Sequence, residues 1–423
     1  MPNLSKKQLI ILGGLVFLGA VLAVLMLVNL RSRTNPQLAT VKIWGLEPKS
    51  VFDKIINPYQ QTHPNVTLEY KSVDPKYYEE RILNALASGE GPDIFMVSNR
   101  NFESSLDKLI PCADSILVAD SESEVFNLAS LRSHFPSVVE QDFVKDGKIY
   151  ALPLYIDTLA MFYNQDIFDR ASIVTPPRTW EDLKKVVPYL RSLNQSNQIV
   201  QAAAAIGGSD KSVTYPANLV ELLLIQNAES KSQDKDLDAF NFYLQFGNSG
   251  STYYTWNESL GKDYEAFLAN KVAMVFGYYS DKKELLRRSP YLNLRVAQIP
   301  QVDQTTKSIA NYWGFAVSKQ SKVPEEAWSF LVEVATSPQY AGEYMVASNL
   351  PPALKSLIEF NINDINMGIF ARQALTARAY QISDGDAAAR YLNVAIEKVL
   401  SGQTNSAEAF MEAKSKLDLI RTK

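Results

Sequence analysis

The stretch GPDIFMVSNRNF, residues 91–102, leads from a glycine, a proline and an acid into four apolar residues and then stops at Ser98 and Asn99. A short apolar run bounded by turn residues has the form of a buried strand. The segments upstream agree with that reading. TVKIWGL (40–46) reads as a strand, and in PKSVFDKIINPYQQ (48–61) Phe52, Ile55, Ile56 and Tyr59 fall at helical spacing. VTLEY (66–70) alternates apolar with polar, as a strand does. Asp74 can cap the helix that follows, with Pro75 at its first position; Tyr78, Ile82, Ala85 and Leu86 form its apolar stripe and Gly89 ends it. Strand, helix, strand, helix, strand with short connections predicts a parallel sheet covered by helices. Ligands of such α/β sheets bind outside the carboxyl ends of the strands. Ser98, Asn99 and Asn101 follow one such end, and Gly45 and Glu47 follow another. The amides are equally suited to capping the next helix.

At 423 residues the chain is long enough for two or three domains. Its 42 Lys and Arg against 46 Asp and Glu give a formal charge of −4, so no basic excess is present to hold a phosphate backbone, and nucleic acid is not an expected partner. Two histidines, His63 and His134, and a single cysteine, Cys112, argue against His/Cys metal sites and a disulfide framework. No cofactor is expected. Residues 9–30, LIILGGLVFLGAVLAVLMLVNL, carry no charge and are long enough to span a bilayer, with Lys6 and Lys7 before them and Arg31 and Arg33 after. The apolar run is too long for a signal peptide, and no cysteine follows it for lipid attachment. An uncleaved transmembrane anchor is expected over 9–30, preceded by a short segment (1–8) and followed by a polar linker (31–39).

A second α/β segment follows. ALPLYIDTLAMFYNQDIF (151–168) is apolar and aromatic around one acid, Asp157. In PPRTWEDLKKVVPYLRSL (176–193), Thr179 can cap a helix with Asp182 three residues on, while Trp180, Leu183, Val186, Val187 and Leu190 form its stripe. YEAFLANKVAMVFGYYSDKKELL (264–286) reads as helix, strand, aromatic loop and helix, and PEEAWSFLVEVAT (324–336) as an amphipathic helix opened by Pro324. Residues 229–238 read as a solvated surface stretch.

The stretches TVKIWG, ALASGEGPDIFMVS, GKIYALPLYIDTLAMFYNQDIFDRA, PPRTWEDL, KVAMVFGYYSD, NYWGFAVSK, PEEAWSFL and SNLPPALKSL, in that order, resemble the family 1 extracellular solute-binding proteins of ABC importers, which include maltose-binding and related sugar-binding proteins. The resemblance covers nearly everything from residue 40 onward. It implies a two-lobed periplasmic-binding-protein-like α/β fold of type II, with a first lobe of 40–152 and 312–350 and a second of 153–311 and 351–423. The crossings would fall near Pro153, Ile309 to Trp313, and Leu350 to Pro352. It implies a monomer with its body outside the cytoplasm, a carbohydrate ligand in the cleft, and ABC permease subunits as partners. Most relatives are released or lipid-anchored; a retained transmembrane anchor departs from that pattern.

A sugar has apolar C–H faces ringed by hydroxyls, so it is held by flat aromatic faces beside groups that donate and accept hydrogen bonds. By position in these motifs the resemblance implies Trp44, Glu47, Asn99, Tyr155, Asp157, Tyr278, Tyr279 and Trp313 as ligand-binding candidates, with Asn311 in reserve. Each competes with a packing role. Trp44 suits core or cleft, register decides the direction of Tyr155, and one of Tyr278 and Tyr279 is expected to pack inward. Asp93, Trp180 and Trp328 read as structural. Glu47 and Asp157 could pair across a cleft as in a glycosidase, but no HExxH, GxSxG or P-loop motif occurs and no catalytic role is expected. The alternatives are the same fold binding a peptide or phosphorylated polyol, or a receptor that presents ligand to a membrane sensor.

Overall fold

The computed structural model describes residues 38–422 except 120, 122 and 304. The anchor expected over 9–30 lies outside the described residues, and no helix among them is long and apolar enough to cross a membrane. Two sheets, each with its own hydrophobic core, form two lobes.

The first sheet runs in the order Val66–Ser72, Ala39–Gly45, Ile94–Ser98, Trp313–Ser318, Leu109–Ile110, and Ala151–Pro153 also pairs with Trp313–Ser318. Its first three strands are parallel, as their order along the chain predicts, whereas Trp313–Ser318 returns from far downstream and lies antiparallel to Ile94–Ser98. All five residues of Ile94–Ser98 are buried. Asp93 ties the turn ahead of this strand: its carboxylate accepts from the Lys42 backbone N–H at 2.9 Å and from Ser321 Oγ at 2.7 Å. Asp74 caps a short 3₁₀ turn, Pro75–Tyr77, and the α-helix proper is Tyr78–Ala87. Gly89 follows at φ +75°, a left-handed conformation that favours glycine. Cys112, the lone cysteine, is half-buried beside this sheet, and burial pushes its thiol up to about 12.

The second sheet runs Leu294–Ala297, Ala160–Asn164, Val272–Gly277, Ile199–Ala204, Ser192–Leu193. Thr179 caps Trp180–Leu190 by accepting from the Asp182 N–H at 3.0 Å. Trp180 is buried, with its Nε1 donating to Gln226 Oε1 at 2.7 Å, and Trp328 is buried in the first core. The expected aromatic loop after VAMVFG is absent. Tyr279 opens the helix Tyr279–Arg288 and Tyr278 stands at its cap, because Asp281 accepts the Tyr278 N–H and closes the turn.

Three segments link the sheets, and they pair with one another. The Ile156 N–H donates to the Pro351 carbonyl at 3.1 Å, Leu159 N–H to the Ile309 carbonyl at 3.1 Å and Asn311 N–H to the Asp157 carbonyl at 2.9 Å. Ala353, Ile358, Ala371, Ala374 and Ala377 pack into the first core, while Gly385–Leu400 and Ser406–Leu419 contribute to the second. The stretch after residue 350 is thus shared between the cores.

The lobes also meet through side chains next to the opening stretch. Arg100 grips Glu221 of the helix Pro216–Gln226 with two hydrogen bonds, 2.7 and 2.8 Å, and donates to the Gly385 carbonyl at 3.2 Å. Asn101 donates to Asp386 at 3.0 Å and accepts from the Gly385 N–H at 3.0 Å. Arg100 and Asn101, just beyond the buried strand, are polar because they face the other lobe.

Candidate functional site

Where the crossing segments meet the carboxyl end of Ala39–Gly45, a cavity of about 290 Å³ opens between the lobes, close to the lower end of the roughly 300–1,000 Å³ usual for small-molecule sites. The first lobe contributes Leu46 and Glu47, the second Tyr215, Tyr278 and Ser280, and the crossing regions Tyr155, Asp157, Asn311, Trp313 and Leu350. Six of the nine candidates, Glu47, Tyr155, Asp157, Tyr278, Asn311 and Trp313, are thereby brought together.

The four rings are fixed from behind. Trp313, half-buried at the start of its strand, meets the edge of Tyr78 at 5.5 Å and 83°. Tyr215 and Tyr278 stand perpendicular at 5.0 Å, and the Tyr278 hydroxyl accepts from Asn218 Nδ2 at 3.2 Å. Tyr215 donates to Asp281 at 3.2 Å. Burial, with Glu47 and Asp157 adding to it, holds the Tyr155 phenol well above its ordinary range, so it stays protonated.

The carboxyls differ in what they hold. Asp157 accepts the N–H groups of Tyr279 at 2.8 Å and Ser280 at 3.1 Å, so it caps the helix Tyr279–Arg288 from a crossing segment. Burial pushes it up to about 7 against those two bonds. Both of its oxygens serve that cap. Glu47 is nine-tenths buried; Tyr344 donates to its Oε1, and Oε2 has no hydrogen-bond partner among the described residues. Burial raises its pKa, with the Tyr344 bond and, more weakly, the backbone N–H groups of Glu47 and Leu46 opposing. No lysine or arginine lines the cavity.

Three candidates stand elsewhere. Trp44 is half-buried on the first sheet with the Lys71 ammonium 3.8 Å from its ring centroid, so a cation covers it. Asn99 rivets the strand end to a crossing segment: Oδ1 accepts from the Tyr312 N–H at 3.1 Å, and Nδ2 donates to Asp142 at 3.2 Å and the Ala310 carbonyl at 3.3 Å. Tyr279 is buried against Phe370 with its hydroxyl donating to Asn349 at 3.0 Å. The sequence reading missed Tyr215, Ser280, Leu46 and Leu350. Only Tyr215 carried a signal, an aromatic immediately before the proline that opens an apolar helix.

Asp142, which also accepts from the Tyr312 hydroxyl at 2.7 Å, is pushed by burial up to about 7. Between its ordinary range near 4 and that value the folded state holds a proton the unfolded chain has lost. Stability is therefore expected to fall as pH rises through this window, by at most about 1.4 kcal/mol per pH unit from this group. Urea unfolding across that window should show Asp142→Asn with a shallower slope than the parent; equal slopes would refute the assignment.

The bacterial extracellular solute-binding protein family model matches residues 44–341. A binding protein of Brucella abortus (strain 2308) is 20% identical over 391 residues, covering 91% of this chain and 93% of its own. The arabinooligosaccharide-binding protein of Bacillus subtilis (strain 168) is 27% identical over 159 residues, 36% of this chain and 31% of that protein. Among solved structures, the cyclic alpha-maltosyl-1,6-maltose binding protein from Arthrobacter globiformis has a TM-score of 0.71 at 15% identity over 90% of this chain and 98% of that one, and so shares its two-lobed fold. With the family match extending from the first strand through the return strand that closes the first sheet, the chain belongs to the bacterial extracellular solute-binding proteins.

Proposed function

We propose that the chain captures a carbohydrate in the interlobe cavity and delivers it to an ABC permease, with its body outside the cytoplasm and its N-terminal segment as a membrane anchor. The observation that carries this reading is the lining: Tyr155, Tyr215, Tyr278 and Trp313 surround the cavity with hydroxyl, amide and carboxyl groups among them. Rings suit the C–H faces of a sugar, and the polar groups suit its hydroxyls. A phosphorylated ligand would call for a cation in the lining, which holds none. The names of the arabinooligosaccharide- and maltosyl-maltose-binding relatives support the same ligand class.

Capture would be non-covalent. Ligand touching both lobes favours a closed arrangement reached by rotation about the three crossing segments, and closure shapes the surface a permease meets. Titration of the full chain with malto- and arabino-oligosaccharides, followed by tryptophan fluorescence, should give a saturable change because Trp313 lines the cavity. A folded protein that responds to no sugar would overturn the carbohydrate reading and leave the fold standing.

A further inference from the structure

Among the described residues Glu47 makes no ion pair. The titratable groups that feel its charge, Tyr70, Tyr78, Tyr155 and Tyr344, are phenols that burial keeps neutral. Two cations of the lobe junction are engaged elsewhere. Arg100 is committed to Glu221, and Lys283 donates to the Ser348 and Asn349 carbonyls at 3.1 and 3.3 Å. The remaining acids are matched to protein donors: Asp157 by two backbone N–H groups, Asp281 by the Tyr278 N–H and the Tyr215 hydroxyl. Of the cavity's two carboxyls, Glu47 keeps an oxygen, Oε2, without a donor among the described residues.

A buried carboxylate without an opposite charge loses its hydration uncompensated, a penalty that a cation brought to it would offset. Aromatic rings around the same space favour a cation through their faces. A neutral sugar satisfies the rings but brings no charge to Glu47.

We propose that the preferred ligand is a sugar bearing a protonated amine, whose ammonium group pairs with Glu47 in a cavity walled by Tyr155, Tyr215, Tyr278 and Trp313. This rests on the carbohydrate reading above and narrows it to cationic amino sugars. It has a proton signature. Burial favours the protonated form of Glu47 in the free protein; an arriving ammonium favours the carboxylate. Binding of the amine therefore releases the Glu47 proton to solvent, and binding of an uncharged analogue does not.

The test uses matched pairs that differ in charge alone: glucosamine against N-acetylglucosamine, and the glucosamine trimer against its fully N-acetylated form. Calorimetric titration of the full chain near pH 4.5, the ordinary value of a glutamate, where a raised Glu47 is mostly protonated and the amines are fully charged, in two buffers of different ionisation enthalpy reads affinity and proton release together. The amine is expected to bind at least about tenfold tighter than its N-acetyl partner, a difference of about 1.4 kcal/mol. It should also release protons, and Glu47→Gln should bring the affinity ratio close to one. Proton release is read on the unaltered protein, so it stands even if the variant folds poorly. An N-acetyl or other neutral sugar that binds as tightly as the amine, or amine binding without proton release, would overturn the proposal and leave the carbohydrate reading intact. Failure of every charged and neutral sugar to bind would overturn both.

Discussion

Glu221→Ala should destabilise the protein by about 3–5 kcal/mol, the range for removing one partner of a buried ion pair. Glu221 is fully buried in the second lobe, and the Arg100 side chain that grips it is 13% exposed. Burial works against the Arg100 charge but Glu221 outweighs it, so the guanidinium is held more firmly protonated than usual. Truncation leaves that cation in a dry site with the Gly385 carbonyl as a remaining acceptor. Because the pair joins residues on different lobes, the loss is expected to fall on their attachment as well as on one core. Urea unfolding gives the measurement. A midpoint equal to the parent's would show that the pair contributes nothing. Replacing both residues by methionine is expected to restore much of the loss, since no lone charge is then left buried.

Trp313→Ala is expected to weaken ligand binding by at least about 2 kcal/mol, roughly thirtyfold, as expected for an aromatic anchor at the centre of a site. The backbone of Trp313 is held in the strand by pairing with Ser98, so truncation removes the ring while the sheet remains. The indole also borders a second groove of about 280 Å³, between the helix Tyr78–Ala87 and the turn Glu103–Lys108, and thus stands as a wall between two spaces. Its loss would open one into the other and remove the surface a sugar face would rest on. Affinity within threefold of the parent, in a folded variant, would take Trp313 out of the site.

Local signals were legible wherever a residue's environment is set by its neighbours in the chain. The buried Phe52, Ile55, Ile56 and Tyr59 fall on one helical face, Thr179 caps its helix, and Asp93 ties its turn. Long-range partnerships were not legible. Asn99 was read for a ligand because it follows a strand, yet its partners Ala310 and Tyr312 lie more than two hundred residues downstream. Tyr278 and Tyr279 are adjacent and alike in chemistry, and only the cap formed by Asp281 decides that the first lines the cavity and the second faces Asn349. Asp157 was found by its isolation in an apolar run, but its engagement with a distant helix depends on the fold of the second lobe.

The raised pKa of the half-buried Cys112 thiol has a practical consequence. Thiolate is the form that reacts with alkylating reagents, and with the thiol pushed up to about 12 the native chain carries almost none at neutral pH. A pair of cysteines engineered on the facing rims of the two lobes would then take up dyes while the native sulfur stays silent. The molecule would become an optical gauge of its own opening, with no need to remove a residue from the first lobe.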